Sequence, residues 1–164
     1  MLLFGHIGIT LGVAWLIESK LKVRINYGLI ILGSLLPDAI DKPLGMFLLP
    51  FNNGRIFAHT LLFILILLLI GLKYRKSLFL SFASFLHLIE DEMWKVPRTL
   101  FWPLLGNFPP GDYSRFSEYI ADKVSKYTTS FSPTFIFEII GLIIILIFLK
   151  ERIIPALRNK PTSL

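Results

Sequence analysis

No cysteine occurs among the 164 residues. That excludes disulfides, thiolate metal sites, iron–sulfur clusters and a cysteine nucleophile, so any metal must be held by His, Asp and Glu. Charge is scarce as well: charged residues make up 17% of the chain against 54% hydrophobic, and mean hydropathy is +0.69. Such values lie outside the range of a soluble domain of this length and predict an integral membrane protein, residues 1–164 forming one domain. No Lys or Arg precedes Lys20, so the first apolar segment lacks the basic stretch of a cleavable signal peptide and is expected to stay as an anchor. The net charge of +6 comes from basic residues that punctuate apolar segments. They form no continuous stripe with interleaved aromatics, and no nucleic-acid partner is expected. Nothing in the chain calls for an obligate protein partner.

What is present is a series of five apolar segments. The first runs from Leu2 to Ile17. The second runs from Tyr27 to Leu36 and is expected to stop at Pro37, which disfavours helical geometry in the residue before it. Phe57 to Leu72 is entered through Asn52-Asn53-Gly54, with Asn53 as the expected N-cap. Ser77 to Ile89 follows. Pro133 to Leu149 has Ser132 at the N-cap and Pro133 at the first helical position. All are near or below the roughly 20 residues of a full span. The expected fold is all-α, a membrane bundle of about five short transmembrane helices. Tyr113, Phe116, Ile120, Val124 and Tyr127 recur at helical spacing among charged residues, which predicts an amphipathic helix on the outer surface. Lys20, Lys22 and Arg24, then Lys73, Arg75 and Lys76, then Lys150, Arg152, Arg158 and Lys160 follow alternate segments. If these are cytoplasmic, the N-terminus is outside and the C-terminus inside.

The polar exceptions form a pattern. His87 and Asp91 are four apart and share a helical face. Counted from the nearest cytoplasmic basic residue at about 1.5 Å per residue, His6, Asp38, His59, His87 and Glu138 all fall roughly 17–21 Å above the inner boundary, and Asp91 about a turn higher. Ionisable groups at such depth are costly and face a partner, a cavity or an ion. A single histidine among them reads as a satisfied interior residue; the set reads as one shared polar site. Imidazole and carboxylate without thiolate suit a divalent metal, zinc, manganese or iron, in one or two ions. Such a metal would activate water for hydrolysis. Asp38 and Asp41 are three apart, Arg55 and His59 four apart, so each pair can share a helical face. Arg55 could clamp a phosphate or form a salt bridge to Asp38 or Asp41. The general base would be Asp91 or Asp41, and Glu138 would ligate or orient a histidine. The same layer would also serve a proton relay or a metal path in a transporter.

The motifs resemble a known group. His6, then Gly33-Ser34-Leu35-Leu36-Pro37-Asp38-Ala39-Ile40-Asp41, Arg55-Ile56-Phe57-Ala58-His59-Thr60, His87-Leu88-Ile89-Glu90-Asp91 and Trp102-Pro103-Leu104 are similar in order to the YdjM-like family. That family is described as membrane-bound, metal-dependent hydrolases, also called LexA-binding, inner membrane-associated hydrolases. The resemblance implies an inner-membrane location and a metal centre of His6, Asp38, His59, His87 and Asp91, with Asp41 and Arg55 close by. The family pattern is Pro-Asp-x-Asp, whereas the second aspartate here comes one position later, at Asp41. The expected function is hydrolysis of a phosphoester in a lipid or lipid-linked substrate, at a site facing the outer leaflet. The family name alone suggests a regulator that binds a cytosolic partner.

Overall fold

The computed structural model describes residues 3–49, 52–111, 116–128 and 132–155, and these are helical with no strand among them. In chain order they form α1 (Leu3–Leu21), α2 (Tyr27–Pro43), α3 (Leu61–Lys73), α4 (Leu78–Glu90), the short α5 (Pro97–Leu100), α6 (Phe116–Thr128) and α7 (Pro133–Phe148). Single π-helical turns extend α2 to Leu48 and α7 to Ile153. The helix Pro133–Ile153, 21 residues, is the one among the described residues long and apolar enough to cross a membrane; α3 is apolar but shorter. Ser132 caps α7 as expected, its hydroxyl accepting from the Phe135 amide at 3.1 Å. Of the expected amphipathic helix, α6 covers the stretch from Phe116, with Ile120 and Val124 exposed. Tyr113 lies outside the described residues, as do Arg158 and Lys160.

Two boundaries depart from expectation, and both build the site. The second helix does not stop at Pro37 but continues to Pro43. The third begins at Leu61 rather than Phe57, with Thr60 as its cap, accepting from the Phe63 amide. Asn53 instead caps Arg55 N and ties Pro109 O.

α1 and α7 run parallel. Glu138 near the start of α7 accepts from Phe4 N and Gly5 N at the start of α1 (2.9 and 3.0 Å), and Glu18 at the far end of α1 pairs with Arg152. Between these ties Gly8 and Gly141 bring the two backbones into contact, where a Cβ on either would strike the other helix. Small residues at such a crossing allow close van der Waals packing. Gly141→Leu is therefore expected to push α7 off α1 and to cost about 1–3 kcal/mol. The check is a lower thermal midpoint in detergent; an unchanged midpoint would count against this crossing.

The pairings at helix ends also fix direction. The start of α1 meets the end of α4 (His6 with Glu90) and the end of α2 meets the start of α3 (Asp41 with His59). Helices successive in the chain thus alternate, and the ends bearing histidine and carboxylate collect together. Beneath them, towards the Glu18–Arg152 end, Leu11, Ala14, Ile30, Ala83 and Phe148 form a buried apolar layer.

Candidate metal centre

Pro37 starts the site. Having no N–H, it leaves the carbonyl of Gly33 without a helical partner and loosens the turn around it. α4 supplies what is missing: Ser84 Oγ donates to Gly33 O at 3.0 Å, and on the next carbonyl His87 Nδ1–H donates to Ser34 O at 2.7 Å. A carbonyl can only accept, so the His87 proton sits on Nδ1 and Nε2 carries a lone pair.

The same logic fixes the other two imidazoles. Asp41 is fully buried, and its Oδ2 accepts from His59 Nδ1 (2.7 Å), His59 N and Ile56 N, while Oδ1 accepts from Ala58 N. The chain from Ile56 to His59 wraps round this carboxylate, which is why α3 starts late. His6 Nδ1 meets Glu90 Oε2 at 2.7 Å, and the other Glu90 oxygen accepts from Thr10 Oγ1. Histidines that hold metals characteristically donate their second nitrogen to a carboxylate or carbonyl in this way.

All three Nε2 atoms point into one space. His59 Nε2 and His87 Nε2 are 3.3 Å apart, and His6 Nε2 is 3.3 Å from Asp91 Oδ1. Asp38 Oδ1 stands 3.7 Å from His59 Nε2 and 3.9 Å from His87 Nε2. The His6 ring stacks on His87 with centroids 4.0 Å apart. For neutral rings with the proton on Nδ1 these are acceptors facing acceptors, and among the described residues the buried His6 Nε2 has no hydrogen-bond partner. A cation among them resolves every one of these contacts. Ligand atoms about 2.0–2.1 Å from a tetrahedral zinc lie about 3.4 Å from one another, close to the spacings observed. Two groups, His6/Asp38/His87 and His59/His87/Asp91, could hold a metal ion.

The expected residues divide accordingly. His6, Asp38, His59, His87 and Asp91 come together. Asp41 stands behind His59 with both oxygens committed to other donors, so it is a positioning group and not a free base. Arg55 lies outside any helix; it shares no helical face with His59 but reaches Asp91 Oδ2 at 2.8 Å, not Asp38 or Asp41. Asp91 is the C-cap beyond α4. Glu138 is not in the cluster: its carboxylate satisfies the exposed amides at the start of α1, so its place in the depth layer reflects capping and not ligation. Sequence reasoning missed Glu90 and Thr10. The signals were a carboxylate inside an apolar run, costly unless partnered, and a hydroxyl one turn after His6. Glu90→Gln is expected to weaken metal affinity about 10–100-fold by releasing the His6 ring, measurable by competition with a chromophoric chelator. Unchanged affinity would mean that Glu90 does not orient His6.

Fold and site together define an all-helical protein with a buried histidine–carboxylate centre able to hold a divalent metal. The chain belongs to the YdjM inner membrane protein family, whose family model matches residues 1–160. No curated protein and no solved structure matches it.

Proposed function

We propose that the chain is a membrane-embedded, metal-dependent hydrolase that cleaves a phosphoester of a lipid or lipid-linked substrate. The observation that carries this reading is the convergence of three Nε2 lone pairs and two carboxylates, each imidazole being locked from behind. Zinc suits the donor set best, ahead of manganese and iron. One ion is favoured, because both ligand groups include His87 and its other nitrogen is engaged by Ser34 O. When bound, such an ion activates water and neutralises charge on phosphoryl oxygens. The chain's own residues supply orientation. Asp41 and Glu90 hold His59 and His6, Arg55 faces the phosphoryl group, and Asp91, held by Arg55 through Oδ2, presents Oδ1 to the ion.

Family membership supports a membrane setting. The alternating helix directions, with Lys20 and Arg152 at the end away from the site, support a multi-pass arrangement with the site towards the outer leaflet and the C-terminus inside. The apolar layer of Leu11, Ala14, Ile30, Ala83 and Phe148 favours a hydrolase over a proton or ion path, since a path needs polar groups leading inward. The test is hydrolysis of a generic aryl phosphate by purified protein in detergent. Activity lost to a chelator and restored by zinc is expected. Activity indifferent to chelation, or metal flux into sealed vesicles without hydrolysis, would sink the reading.

A further inference from the structure

We infer that Lys42 is a second anion-binding residue of the centre, which with Arg55 grips the dianionic phosphoryl group of a phosphate monoester; this rests on the metal-hydrolase reading. Exposure locates the entrance. The three imidazoles and Asp91 are buried, whereas the side chains of Asp38, Lys42 and Arg55 are 19%, 34% and 40% exposed. Both cations stand at that open edge, and each holds a carboxylate of the centre by one oxygen: Lys42 Nζ to Asp38 Oδ2 at 2.5 Å, Arg55 Nη2 to Asp91 Oδ2 at 2.8 Å. The other oxygens, Asp38 Oδ1 and Asp91 Oδ1, face imidazole nitrogens.

Charge and donors then point the same way. Without an ion the two carboxylates and the two cations cancel in pairs. A single divalent ion takes over Asp38 and Asp91, which leaves Lys42 and Arg55 presenting two positive charges at the entrance. Asp41 and Glu90 do not offset them there, because both are buried behind His59 and His6. A phosphate monoester carries nearly two negative charges near neutral pH, a diester only one. Among the described residues Lys42 also keeps a donor for the ligand. Among the described residues its ammonium bonds Asp38 and Tyr119 of α6, and an ammonium has three donors. Arg55 uses one of its nitrogens on Asp91, and its side chain is partly exposed; a guanidinium has five donors. The monoester could be a lipid headgroup or a free phosphate ester; the chemistry at the entrance is common to both.

The experiment measures affinity for inorganic phosphate, dihexanoyl phosphatidic acid and dimethyl phosphate by titration calorimetry in detergent, with metal content determined on the same samples. Wild type, Lys42→Met and Lys42→Arg are compared. The expected result is that Lys42→Met keeps its metal but binds phosphate and phosphatidic acid about 10–100-fold more weakly, that Lys42→Arg recovers most of the loss, and that wild type binds dimethyl phosphate poorly. Tighter binding of phosphatidic acid than of phosphate assigns a lipid monoester; equal binding assigns a free one. Unchanged affinity in Lys42→Met overturns the inference, and so does loss of its metal, which would make Lys42 a mere support for Asp38. Dimethyl phosphate bound as well as phosphate overturns the monoester assignment. A metal-free wild type overturns the hydrolase reading itself, and the clamp falls with it.

Discussion

Asp41→Ala is expected to be the most destabilising single change at the site. It would strand the amides of Ile56, Ala58 and His59, all of which donate to this carboxylate, together with the His59 ring. A buried donor left unsatisfied costs about 1–3 kcal/mol, so the sum exceeds about 3 kcal/mol and lowers the thermal midpoint by roughly 10 °C for a chain of this size. Asn does not rescue it. Both Asp41 oxygens accept hydrogen bonds, and an amide would turn one of them into a donor facing donors. Tryptophan fluorescence melts in detergent provide the check. A midpoint unchanged in Asp41→Ala would show that the Ile56–His59 segment is held by something else.

The second large effect falls on chemistry. His59→Ala and His87→Ala each remove one of the converging nitrogens, and each is expected to abolish metal retention and to lower phosphoester turnover by at least about 100-fold, beyond the loss given by substituting an orienting partner. Glu138→Gln is the informative contrast. It disturbs the start of α1, where Glu138 accepts two amides, so it should lower the thermal midpoint while leaving metal bound. If Glu138→Gln lost its metal while its midpoint stayed put, its separation from the centre would be mistaken.

Much of this was legible in the sequence because burying charge is costly. Three histidines and a few carboxylates in an otherwise apolar chain have few places to go, and counting residues from the basic clusters brought His6, Asp38, His59 and His87 to one level, with Asp91 about a turn higher. The same count misplaced Glu138. Depth along a helix says nothing of which way a side chain faces, and the start of α1 offers unpaired amides at that very level. The helix boundaries failed where side chains override local preference. Pro37 reads as a stop, yet Ser84 and His87 satisfy the carbonyls around it. The Phe57 start was lost because Asp41 competes for the amides that a helix would otherwise leave to its cap. These partners come from 15 to 53 residues away in sequence, a distance at which periodicity carries no signal.

The central claim is that the converging imidazole Nε2 atoms and carboxylates, in the sets His6/Asp38/His87 and His59/His87/Asp91, can hold a divalent ion. Its most direct test is plasma mass spectrometry of detergent-purified wild type beside His59→Ala and His87→Ala. About one equivalent of zinc, manganese or iron in wild type, absent from both variants, is the predicted result. No metal above background in wild type, even after reconstitution with each ion, would contradict the account.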